Sequence, residues 1–264
     1  MRIIFKNRNF ITLLILALLS TQLLAQDKRT IDTKVADLLA QMPTKDLQYR
    51  DRLMREMIQL GPDVFQKIAG QLFAPGTGDD TAPRYAINSL ARYASEFGKE
   101  AERDFVERNI LEAIEHQQNE DVKAFLIHQL NFVAGNQSVA VLRKYLVNNR
   151  LSEPATQVLL QLGGPQVALE LNEALAASDG KVKVTLVRAL GELKCKKAVP
   201  QITSLLKSSD PVMQKAALAA LANIGDPISY KILYNAAAKK GFAYDASNAA
   251  EAFLNYTARL AEED

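Results

Sequence analysis

"VKVTLVRALGELKCKKAVPQITSLLKSSDPVMQKAALAALANIGDP", residues 182–227, contains the same pattern twice. Leu190 and Leu221 are 31 residues apart, as are Leu193 and Ile224. Around these markers the apolar residues recur at i, i+3 and i+4, the spacing of one face of a helix rather than the alternation of a strand. Earlier in the chain, Leu130 and Leu159 continue the first column and Val133 and Leu162 the second. A further column, Leu142, Leu171, Ile202 and Leu233, advances by 29, 31 and 31 residues. Each unit therefore holds two helical stripes and a short turn, an antiparallel helix pair.

The turns support that reading. In "NIGDPIS" (223–229) Gly225 can end a helix with positive φ, while Asp226 can cap the next one and Pro227 suits its first turn. "QLGGPQV" (161–167) and "QLGPDVF" (59–65) repeat parts of this punctuation and extend the array towards the N-terminus. "APRYAINSLARYAS" places Leu90 and Tyr93 in the register of Leu130 and Val133, with a long partner helix over about 99–118. A helix over about 31–41 shields the first repeat. The expected fold is all-α: an α-solenoid, a right-handed superhelix of about six antiparallel helix pairs, each covering its neighbour's apolar face. After Gly241, "DASNAAEAFLNYTARLAEED" forms one amphipathic helix, either a cap or an unfinished repeat.

The first 25 residues have Arg2, Lys6 and Arg8, then an apolar run from Phe10 to Leu19, then Leu23-Leu24-Ala25. This is the three-part pattern of a secretory signal peptide cleaved after Ala25. The apolar run is about half of what a helix needs to cross a bilayer, so no stable membrane insertion is expected after cleavage. The expected organisation is residues 1–25 as signal and 26–264 as one solenoid domain, exported to the periplasm or the cell exterior. Three of the 32 basic residues belong to the signal, leaving 29 against 30 acidic ones. That balance argues against a nucleic-acid partner. Cys195, the single cysteine, is expected to be a small, partly buried turn residue.

The spacing of "LVRALGEL" and "AVPQITSLLKSSDPVMQKAALAALANIGDP" resembles the short HEAT-like repeat, also found in phycobilin lyase and electron-transfer accessory families. A closer resemblance lies in "AQDKRTIDTKVADLLAQMP", "LFAPGTGDDTAPRYAINSLARYAS" and "ALANIGDPISYKILYNAAAKKGF". These look like the N-terminal helical region of large exported bacterial proteins that carry a C-terminal β-sandwich of the 3-keto-glycoside hydrolase type. The resemblance implies a stand-alone relative or a truncated product. No segment here matches that hydrolytic domain, so none of its residues can be carried over.

No motif points to a catalytic or metal site. "LFAPGTGDDTAPRYAIN" (72–88) lacks the preceding strand and the Lys-Ser or Lys-Thr of a phosphate loop, and its adjacent Asp79 and Asp80 do not alternate as calcium ligands do. It reads as a turn between a helix ending near Phe73 and one beginning near Pro83, with Gly76 and Gly78 supplying unusual dihedrals and Asp80 or Thr81 as cap. As a recognition loop, its groups to test are Asp79, Asp80, Arg84 and Tyr85. His116 and His128 stand on separate helices without a histidine at i+3 or i+4. The acids of "KEAERDFVERNILEAIEHQQNED" (99–121) alternate with Lys99, Arg103 and Arg108, as on a solvated face. Tyrosines and phenylalanines, among them Phe125, Tyr145, Tyr230 and Phe253, fall on the repeat stripes, and there is no tryptophan. Direct sugar recognition is accordingly disfavoured.

The first expectation is a non-enzymatic scaffold with no cofactor, binding a protein or adjacent domain on its concave surface. Helical phase puts the contacts on the second helices: Arg143, Lys144, Glu170, Asn172, Glu173, Gln201, Ser204, Lys231 and Asn235. The alternative is the scaffold arm of a carbohydrate-processing enzyme whose catalytic domain is absent. A lyase or glycosylase of the same fold conflicts with export and near-neutral charge.

Overall fold

The computed structural model describes residues 29–263; the signal assigned to residues 1–25 lies outside the described residues. Among the described residues there are fourteen α-helices and no strand. A leading helix α1 (Ile31–Leu39) is followed by six pairs: α2 (Leu47–Leu60) with α3 (Pro62–Ala69), α4 (Thr81–Ala94) with α5 (Glu100–His116), and α6 (Glu120–Val133) with α7 (Asn136–Leu142) complete the first half. The second half pairs α8 (Ser152–Leu162) with α9 (Gly164–Ala177), α10 (Gly180–Glu192) with α11 (Val199–Ser204), and α12 (Pro211–Ile224) with α13 (Ser229–Lys239). The last helix is α14 (Ala249–Glu263). First helices pack serially from α2 through α4, α6, α8, α10 and α12 to α14, and α1, α3, α5 and α7 form the start of a second layer. The protein is an all-α solenoid of stacked helix pairs, as the repeat predicts.

The repeat columns are its core. Leu130, Leu159, Leu190 and Leu221 are fully buried in the first layer, and Leu142, Leu171, Ile202 and Leu233 in the second. Each such leucine contributes about 2 kcal/mol by burial. Side-chain caps start several helices: Asp46 accepts the N–H groups of Gln48 and Tyr49, Asn119 those of Asp121 and Val122, and Asp210 that of Val212. Gly225 ends α12 at φ 69°, ψ 20°, the left-handed conformation that favours glycine. The next helix begins later than the sequence suggests: Asp226 accepts the Ile228 N–H at 3.0 Å in a turn, and α13 starts at Ser229.

Two contacts between repeats stand out. A Cβ on Gly191 would lie 2.8 Å from the Ala220 Cα, so α10 and α12 approach closely enough to require glycine there. Glu107 corrects the reading of residues 99–121 as a solvated face, because it is 3% exposed. One oxygen of its carboxylate accepts hydrogen bonds from Gly135 N–H at 2.7 Å, Ser138 N–H at 3.0 Å and Ser138 Oγ at 2.7 Å. An acid from α5 thereby satisfies orphan donors where α7 begins.

Candidate binding face

The loop 70–80 is tied to its own framework. The preceding helix ends at Ala69, four residues before the sequence-based position, and α4 starts at Thr81. Asp80 stands at the cap position but its side chain turns back, accepting Phe73 N–H and Arg84 Nε, both at 2.8 Å. Arg84 also donates to the Phe73 carbonyl at 2.9 Å and lies 4.5 Å over the Phe125 ring of α6. Asp79 accepts the Thr81 N–H at 3.0 Å, and the Tyr85 hydroxyl donates to the Thr44 carbonyl. Gly76 has the expected positive φ of 79°, whereas Gly78 does not; a Cβ on Gly78 would strike the Phe73 ring at 2.8 Å. Asp79, Asp80, Arg84 and Tyr85 therefore all have partners within the loop and its supports, and Arg84 reaches the first-helix layer.

Burial pushes the Asp80 carboxyl up, but hydrogen bonds from Arg84 and Phe73 N–H outweigh it and hold the group below the usual carboxylate range. A folded value below the unfolded one stabilises the protein above the unfolded value, and that contribution is lost as pH falls through the folded one. Asp80→Ala is therefore expected to lower stability near pH 7 by about 1 kcal/mol, with the difference from the parent shrinking towards pH 2. Urea melts at the two pH values check this, and a constant difference contradicts it.

The second-helix residues divide between the two halves of the array. Lys144, just past α7, pairs with Glu115 of α5, and Arg143 lies 3.7 Å from Glu170 of α9. Glu170 also accepts from Gln166 at 2.7 Å. These three candidates thus knit neighbouring repeats together. Further along, Asn172 and Gln201 are half-buried and Glu173 and Ser204 exposed, with the Ser204 hydroxyl on the Gln201 carbonyl at 2.6 Å. Lys231 and Asn235 are exposed on α13.

The feature missed in the sequence lies beside them. Tyr230 is not on the core stripe of α13, which is Ser229, Leu233 and Ala237. It is 48% exposed, Tyr234 43% and Phe242 50%. The Tyr230 and Tyr234 rings are near-parallel at 6.4 Å, and both meet the Phe253 ring of α14, at 5.7 and 5.6 Å. Phe242 closes the cluster at 5.7 Å from Tyr234. The available signal was the repeat alignment: Tyr230 occupies the position of Val139, Ala168 and Val199, and Tyr234 that of Arg143, Asn172 and Thr203.

Charge is also unevenly distributed along the near-neutral chain. Residues 181–240 hold eleven basic groups and three acids, Glu192, Asp210 and Asp226, whereas residues 29–180 hold 16 basic and 21 acidic groups and residues 241–264 hold one basic and five acidic groups. Among the described residues every ion pair falls at or before Glu170, so none of the eleven cations is in one.

A groove between α6 and α8 of about 430 Å³ is lined by Phe125, His128, Glu153 and Gln157 and crossed by the Arg150–Asp121 ion pair. His128 is exposed at its edge, as its alignment with Arg188 suggests. Among the described residues no three His, Cys, Asp or Glu side chains gather as a metal site. No described helix is long and apolar enough to cross a membrane. Cys195 is buried, its sulfur 4.0 Å from the Ala168 carbonyl.

No curated protein matches this chain. Among solved structures it is similar to that of human deoxyhypusine hydroxylase in complex with glycerol, at 16% identity and a TM-score of 0.39, over 86% of this chain and 96% of that one. A family model described as HEAT repeats matches residues 168–253. That stretch runs from α9 into α14, the part of the chain where the 31-residue step is most regular, and there the sequence and the stacked helix pairs are alike in being similar to HEAT repeats.

Proposed function

We infer that this chain is an exported, non-catalytic HEAT-like scaffold that binds a protein partner on its second-helix face. The observation that carries the reading is the change along that face. Its first half is tied repeat to repeat through Glu115–Lys144 and Arg143–Glu170, while its second half presents exposed Glu173, Ser204, Lys231 and Asn235, the last two on the same helix as the half-exposed rings of Tyr230 and Tyr234. Aromatic side chains bordered by polar ones are the composition of a protein-binding patch.

A photo-crosslinking amino acid at Glu173, Gln201, Lys231 or Asn235, in the native host, is expected to yield one discrete protein adduct. The same group at Lys123 or Glu153 on first helices is expected to yield none. Adducts from the first-helix positions alone contradict the reading, as does substrate turnover by the purified chain.

The rings of Tyr230, Tyr234 and Phe242 favour a second reading, in which the patch seats a neighbouring β-sandwich domain of a carbohydrate-processing enzyme. The intact mass of the native protein separates the two. A mass equal to Gln26–Asp264 supports the free scaffold and cleavage after Ala25; a much larger mass supports the scaffold arm.

A further inference from the structure

We propose that α13, with Lys207 after α11 and Phe253 of α14, forms a docking site for an acidic polypeptide segment with an aromatic or other large apolar anchor residue. This rests on the protein-binding reading above and specifies the partner's chemistry. Two independent observations meet at α13. The first is the aromatic cluster, where Tyr230, Tyr234 and Phe242 are each about half exposed yet held against one another and Phe253. Rings fixed in this way present apolar area at little entropic cost, as an anchor seat requires.

The second is charge. Lys231 stands one 100° step around α13 from Tyr230, and Asn235 one step from Tyr234, so a polar row borders the aromatic one. Lys239 and Lys240 close the helix, all three lysines are exposed, and α13 contains no acid. Lys207 is exposed on the 3₁₀ turn that follows α11. The acids next to α13 in sequence are hydrogen-bonded: Asp226 accepts Ile228 N–H, and Asp245 accepts Ser247 N–H and Oγ and Ala249 N–H and also lies in the field of Lys240. Lysines held in no close ion pair around an apolar seat complement an acidic chain with one buried anchor, and such complementarity governs association rate and choice of partner.

A polymer recognised by charge alone, such as single-stranded DNA, would use the lysines and would not need a seat for a single apolar anchor. The aromatic seat therefore favours the peptide.

The test uses the purified chain and a short fluorescein-labelled Glu/Asp peptide with one central phenylalanine, read by anisotropy in low salt. Saturable binding is expected, weakened about tenfold by Lys231→Glu/Lys239→Glu/Lys240→Glu and about tenfold by Tyr230→Ser/Tyr234→Ser. Replacing the peptide's phenylalanine by serine should have the same effect as the tyrosine variant, and Lys123→Glu on α6 should leave binding unchanged. Circular dichroism verifies folding, and if a variant loses helix, the serine peptide and a salt titration on the parent chain decide the matter. Absence of binding, binding indifferent to both the lysines and the rings, or preference for a labelled oligothymidine overturns the proposal. Adducts at Glu173 or Gln201 without acidic-peptide binding remove this inference and leave the protein-binding reading standing.

Discussion

Gly191→Leu is expected to destabilise the protein by about 3 kcal/mol, at the upper end of what overpacking costs. Even a Cβ here would lie 2.8 Å from the Ala220 Cα and 3.0 Å from its Cβ, so the contact is with helix backbone and cannot be relieved by a rotamer change. The neighbouring positions offer no slack, because Ala189, Ala216, Ala217 and Ala220 are all buried. Insertion must push α10 and α12 apart, and in a stack each interface supports only its neighbours. The expected result in a urea melt is a lower midpoint with early loss of α12–α14, detected as faster hydrogen exchange there than in α2–α6. Ala219→Leu, at an exposed position of α12, is expected to change stability by less than about 0.5 kcal/mol. Equal effects of the two substitutions contradict the close approach.

Glu107→Ala is expected to cost a similar amount, about 3 kcal/mol, through unmade hydrogen bonds. Removing the carboxylate leaves Gly135 N–H, Ser138 N–H and Ser138 Oγ without their acceptor, the two Ser138 donors at a buried position and Gly135 half-buried. Glu107→Gln keeps one carbonyl oxygen where the accepting oxygen stands, and its expected loss is about 1 kcal/mol. The contrast matters, because a purely steric role would make glutamine, which has nearly the same shape, neutral. Chemical denaturation of the three proteins decides it, with equal losses for alanine and glutamine contradicting the hydrogen-bond account.

The solenoid was legible because packing repeats. Leu130, Leu159, Leu190 and Leu221 are spaced by the stack itself, and their complete burial follows from that spacing. Long-range use of polar groups was less legible. Glu107 sits among Glu102, Asp104 and Glu112 in sequence, and nothing local marks it as the acid that reaches 31 residues on to Ser138. Asp80, which with Thr81 is a cap candidate for the helix after it, stands at the cap position, yet its carboxylate bonds to Phe73, seven residues before it. Tyr230 falls on a repeat stripe by its spacing, but in the fold it lies beside the buried Ser229–Leu233–Ala237 stripe and is half exposed. The site is legible to the same degree. Lys231 and Asn235 lie on the open part of the second-helix face, Arg143, Lys144 and Glu170 are committed to repeat-to-repeat pairs, and the aromatic cluster emerges from the juxtaposition of α13 and α14.

The central claim is that the second-helix face of this stack takes a protein partner. Its most direct test is hydrogen–deuterium exchange on the purified chain with and without the partner identified by crosslinking. The account predicts slowed exchange in residues 199–207 and 229–242, with residues 81–94 and 120–133 unchanged. Protection confined to those first-helix segments, with the second helices unaffected, would contradict it.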